Sequence, residues 1–111
     1  MPEAVFHRLD RDAVVERLRA FAERELGAMP EVRQVVLIGS LAREDWSARS
    51  DADLVVIVDE ARESGPFRGP PYTPVGIGVP VDVLVYTPDE AAAPRFRAEV
   101  EAGTVLWRRG P

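Results

Sequence analysis

Three aspartates stand where carboxylates are unusual. Asp51 and Asp53 head the apolar run "ADLVVIV", and Asp82 interrupts the run "VPVDVLVY". Alternation along an extended strand places Asp51 and Asp53 on one face, about 7 Å apart, so both can reach a common cation. A carboxylate in the middle of an apolar run is costly to bury unless an opposite charge compensates it. The chain has no cysteine and a single histidine, His7. Hard oxygen donors without imidazole or thiolate suit Mg²⁺ or Mn²⁺ rather than zinc.

A Gly-Ser turn, Gly39-Ser40, ends the preceding apolar run eleven residues before Asp51. Glycine lets an anion approach the backbone closely. Ser40 is placed to open a short helix over "SLARED", whose free N–H groups favour a phosphate. Arg43, one turn further, can offer a fork of donors to the same phosphate. Metal-binding carboxylates and a phosphate-binding turn thus lie close together in the sequence.

The elements that must hold these residues are readable from periodicity. "DRDAVVERLRAFAERELG" predicts an amphipathic helix with Asp10 or Asp12 as its cap. Its apolar stripe is Val14, Leu18 and Phe21 with Val15, Ala22 and Leu26, and Gly27 and Pro30 end it. His7 then falls ahead of that helix, as a surface residue. Strands are predicted over Val32–Gly39, Ala52–Val58 and Val79–Tyr86, the second buried on both faces. "TPDEAAAPRFRAEVEAG" predicts a helix begun by Pro88 and broken by Pro94, followed by a short edge strand over Thr104–Arg108. The Pro/Gly-rich stretch 59–78 reads as a loop, long enough to suggest function or mobility. Together these imply an α+β fold: a mixed sheet of three core strands and a short edge strand, flanked by helices.

Composition narrows the function. The 111 residues suit one domain, 1–111. The net charge of −5 argues against a dedicated nucleic-acid surface. All fourteen basic residues are arginine, which excludes a lysine-dependent P-loop. No apolar run reaches the length of a membrane span, and no signal-peptide core precedes the first helix, so a cytoplasmic location is expected. Trp46 and Tyr72 are read as packing or partner contacts before any base stacking, and Trp107 as core or edge packing.

"GSLAREDWSARSDADL" followed by "VPVDVLVY" resembles the minimal nucleotidyltransferases of the DNA polymerase beta superfamily. Their signature is a Gly-Ser turn, an Asp-x-Asp about ten residues later and a third aspartate on a later strand. The resemblance implies ATP bound with two Mg²⁺ ions, and Mn²⁺ as a possible substitute. Asp51 and Asp53 match the paired metal ligands, Asp82 the third carboxylate and acceptor base, and Gly39 and Ser40 the phosphate turn. It implies transfer of AMP to a hydroxyl. Since such enzymes commonly pair with small helical HEPN-class proteins, it further implies an antitoxin modifying its toxin partner. The family often has arginine at position 41 and glycine at 44, where this chain has Leu41 and Glu44. A non-catalytic module that neutralises its partner by occlusion is therefore the alternative.

Overall fold

The computed structural model describes residues 3–39, 52–59 and 70–110, with side chains from Arg11 onward. The first helix, α1, spans Glu3–Phe21 and runs directly into one π-helical turn, Ala22–Leu26. It starts seven residues before the Asp10 cap expected from sequence, so His7 lies inside α1 rather than ahead of it. No glycine or proline separates Glu3 from Leu26, so the helix continues through the acidic residues that could have capped it. Val14, Leu18, Ala22 and Leu26 form the buried stripe. The widened last turn closes with the Gly27 amide donating to the Ala22 carbonyl at 2.7 Å.

Gly27 ends the helix in an ordinary right-handed conformation, so it is not needed there for a left-handed cap. Close approach explains it better: a Cβ at this position would meet the Glu23 carbonyl at 2.7 Å and the Trp107 indole at 3.1 Å. Beyond it, Arg109 donates to the carbonyls of Val32, Gly27 and Met29 and lies over the Trp107 ring. One arginine thus ties the helix end to the sheet.

Four strands follow: β1 Val32–Ile38, β2 Ala52–Val58, β3 Val81–Tyr86 and β4 Thr104–Arg108. Their order is β3-β2-β1-β4. β1 pairs antiparallel with β2 and β4, while β2 and β3 are parallel. The mixed, helix-flanked α+β sheet is the architecture expected. β2 is buried on both faces apart from Asp53, as its unbroken apolar run required. β3 borders the sheet opposite β4, and its alternating exposure reflects that position.

The connection into β3 is pinned from two sides. The Arg17 guanidinium donates to the Ile77 carbonyl at 2.9 Å, and the Tyr72 hydroxyl bonds Glu31 at 3.1 Å. Tyr72 is buried, in keeping with a packing role. A single 3-10 turn, Pro70–Tyr72, is the regular structure described here, and residues 60–69 of the predicted loop lie outside the described residues. After β3, Thr87 and Glu90 form a reciprocal capping box that starts α2, Pro88–Ala91. Pro94 then starts α3, Pro94–Ala102, so the proline break falls where it was predicted. Among the described residues no helix is long and apolar enough to cross a membrane.

Two apolar clusters sandwich the sheet. Val35, Leu37, Leu54, Val56 and Leu106 pack with α1 on one face. Val36, Ile38, Val55 and Ile57 pack with Ala91 on the other, where α2 and α3 lie.

Candidate active site

Alternation along β2 assigns Asp53 to the α2/α3 face, since Val55 and Ile57 lie there and Leu54 and Val56 face α1. Asp53 and Asp82 are register partners on the parallel strands β2 and β3. Paired residues of neighbouring strands project to the same side about 4.8 Å apart. Ile38 is the register partner of Asp53 on β1, so one row across the sheet reads Ile38, Asp53, Asp82. The Ala52 amide bonds the Pro80 carbonyl at 2.9 Å and fixes this end of the pairing.

Gly39 leaves β1 next to that row with φ +80. A Cβ there would come within 2.6 Å of Asp53 Oδ2. Glycine is therefore required twice over, once for the left-handed backbone and once for room beside the carboxylate. Gly39 and Asp53, fourteen residues apart in the chain, are in direct contact, and Asp82 joins them through the sheet.

The environments of the two carboxylates differ. Asp53 is partly buried on an interior strand, whereas Asp82 is exposed on the border strand. The burial cost expected for Asp82 is consequently not incurred: an edge position lets an aspartate sit in an apolar run with its carboxylate in water. No polar side chain is fully buried among the described residues.

Asp51, Ser40 and Arg43 lie outside the described residues, as do the expected "SLARED" helix, Leu41, Glu44 and Trp46. Of the six predicted site residues, Gly39, Asp53 and Asp82 converge on one end of one sheet face. Among the described residues no third metal-ligating side chain joins the pair. Two neighbouring carboxylates, one of them reached by water, with a glycine leaving space above, are a donor set suited to a hard divalent cation.

The far end of the same face holds a feature that sequence reading passed over. A cleft of about 530 Å³ opens between the sheet and α2/α3, and Arg108 and Gln34 border it. The available signal was the pair Arg108-Arg109, which marks only a strand end when read without its register.

Residues 15–106 match the family model of the nucleotidyltransferase domain. The chain is similar in structure to a Sulfolobus solfataricus protein provisionally assigned as a nucleotidyltransferase. That crystal structure aligns with TM-score 0.68 over 98% of this chain and 90% of that one. At 19% identity the likeness is one of fold. No curated protein matches the chain. Domains of this family generally use divalent metals and act on a nucleotide substrate. With the family match spanning most of the sequence and the Gly39, Asp53 and Asp82 constellation set on its fold, the chain belongs to the nucleotidyltransferase domain family.

Proposed function

We propose that the chain transfers AMP from ATP to a hydroxyl of a partner protein, acting as the antitoxin of a toxin–antitoxin pair. A small helical HEPN-class protein is the expected partner. The observation that carries the catalytic part is the in-register pair Asp53 and Asp82 beside the open backbone of Gly39. The protein acceptor follows from the resemblance of the motif to minimal members of the superfamily.

In this reading the acceptor oxygen attacks the α-phosphorus, the bond from that phosphorus to the bridging oxygen breaks, and pyrophosphate leaves. Asp82, exposed at the sheet border, would take the hydroxyl proton. Gly39 gives the phosphates room to approach the backbone, and Ser40 and Arg43 would add donors. Asp53 and Asp82, with Asp51, would hold divalent cations, Mg²⁺ or Mn²⁺, which when bound supply positive charge to the phosphates and acidify the acceptor.

The test is incubation with α-labelled ATP and Mg²⁺ in a lysate of the source organism, wild type beside Asp53→Asn. A labelled band present only with wild type supports the reading, and its mass identifies the acceptor. If no band appears with a folded protein and its partner present, the non-catalytic reading, neutralisation by occlusion, takes over.

A further inference from the structure

The cleft at the far end of the α2/α3 face is built around one re-aimed arginine. Val36 pairs with Val105 and Val35 with Trp107, so the β1–β4 register slips by one residue between these pairs. Leu106 and Trp107 both lean on the α1-side core as a result. Strict alternation from Leu106 would turn Arg108 toward α1 as well. The bulge instead makes Arg108 the register partner of Gln34, on the opposite face. Bulges next to sites are known for this effect, redirecting one side chain at a sheet border.

The cleft has an apolar floor of Ile57, Pro88, Ala91 and Val100, with Arg108 and Gln34 at its rim. Three further arginines border it, and each is committed. Arg33 pairs with Asp59 at 3.1 Å, Arg97 with Glu101 at 2.9 Å, and Arg109 serves main-chain carbonyls. Among the described residues no hydrogen bond or ion pair engages the Arg108 side chain. In a chain of net charge −5, four arginines against Glu101 and the nearby Asp59 leave this cleft locally cationic. Its volume lies in the range of small-molecule sites, roughly 300–1,000 Å³.

We propose that this cleft binds a small molecule with an oxyanion head on an apolar body, the head on Arg108 and the body over Ile57, Ala91 and Val100. A guanidinium fork recognises phosphate or carboxylate in two-point fashion, and the Gln34 amide can both donate and accept beside it. The site is separate from the carboxylate row. Ile57 and Gln34 stand two side-chain steps along the same face from Asp53 and Ile38, about 13 Å at strand spacing.

The experiment is a titration of the whole chain followed by ¹H–¹⁵N NMR, with EDTA present to suppress metal-dependent nucleotide binding. Benzoate presents a carboxylate directly on an apolar ring, AMP presents a phosphate on ribose with a flat base beyond it, and adenosine lacks the anionic head. The expected result is saturable shifts at Ala91, Ala92, Val100 and the Gln34 side-chain amide with AMP, benzoate or both. Which of the two binds more tightly tells phosphate from carboxylate recognition. Arg108→Ala should weaken binding about tenfold, and adenosine should bind about as weakly as AMP does to that variant. Arg108 is exposed, so the variant's spectrum should otherwise overlay on wild type. The proposal is overturned if shifts are confined to Gly39 and Asp53, if Arg108→Ala binds as wild type does, or if no probe gives saturable shifts at the cleft.

Discussion

On the side facing α1, the sheet contributes Val35, Leu37, Leu54 and Val56 to one continuous core with Leu18, Ala22 and Leu26, all without exposed surface. On the side facing α2 and α3, the buried cluster is shorter: Val36, Ile38, Val55, Ile57 and Ala91. Past its ends the same face carries Asp53 and Asp82 in one direction and Gln34 and Arg108 in the other. The same strands build both sides, with chain neighbours one step apart assigned to different purposes. Stability is concentrated on the α1 side, which leaves the ends of the other side free to hold charge. The division makes a sharp demand: neighbouring substitutions on β2 should separate activity from folding.

Asp53→Asn should show the largest effect. If Asp53 holds the metal as proposed, its replacement by an isosteric amide should lower nucleotidyl transfer by about 10³-fold or more. Asp53 is only partly buried, so the urea midpoint should stay close to wild type. An unchanged rate, or a collapse of the fold, would break the assignment of this face to chemistry.

Leu54→Ala, one residue on, should do the reverse. Leu54 is fully buried in the α1-side core, and truncation there costs about 2–5 kcal/mol. Transfer per folded molecule should be retained. Urea unfolding beside single-turnover transfer measures both, and a loss of rate without a loss of stability would contradict the division.

Much of this was legible in the sequence. The strands were found nearly to the residue because β2 is an unbroken apolar run and β1 and β3 are rich in valine. Pro88 and Pro94 located both short helices, since a ring without an N–H is tolerated at a helix start and nowhere deeper. The pairing of Asp53 with Asp82 was anticipated only as proximity, because register between strands twenty-odd residues apart has no local signature. The start of α1 was missed because Asp10 and Asp12 resemble caps, and capping preference yields when the residues before it are equally helical. Arg108 was missed for a related reason. Its side depends on a bulge in β4, and one inserted residue reverses the outcome of counting by two.

Gly39→Ala should fall between the two sides in kind and below both in size. A residue with a Cβ at φ +80 is strained, at a cost of about 1–3 kcal/mol. The atom it would strike, Asp53 Oδ2 at 2.6 Å, is the end of a side chain that must move aside to make room. In the proposed role Asp53 must keep its position, so transfer should fall by about 10²-fold, the order expected for an ångström of misplacement. A variant with full activity would show that the Asp53 carboxylate is not used in the position seen here.

The smallest effect expected concerns Tyr86, which packs against the α2/α3-side cluster with its ring 4.8 Å from that of Phe96. Burial raises its phenol above the usual value near 10; Arg95 works the other way, and Glu90 and Glu99 add to the rise. The folded state therefore keeps this proton to higher pH than the unfolded chain does. Its contribution to stability is complete below about pH 10 and is lost as pH rises through the folded value. Tyr72→Phe leaves Tyr86 as the single tyrosine, so tyrosinate absorbance should then report a midpoint above 10. Tyr86→Phe, with no phenol to ionise at this position, should flatten the alkaline fall in stability without altering the neutral-pH rate. A midpoint at or below 10 would mean that this cluster is wetter than its packing implies, and the contrast between the two faces would be sharper still.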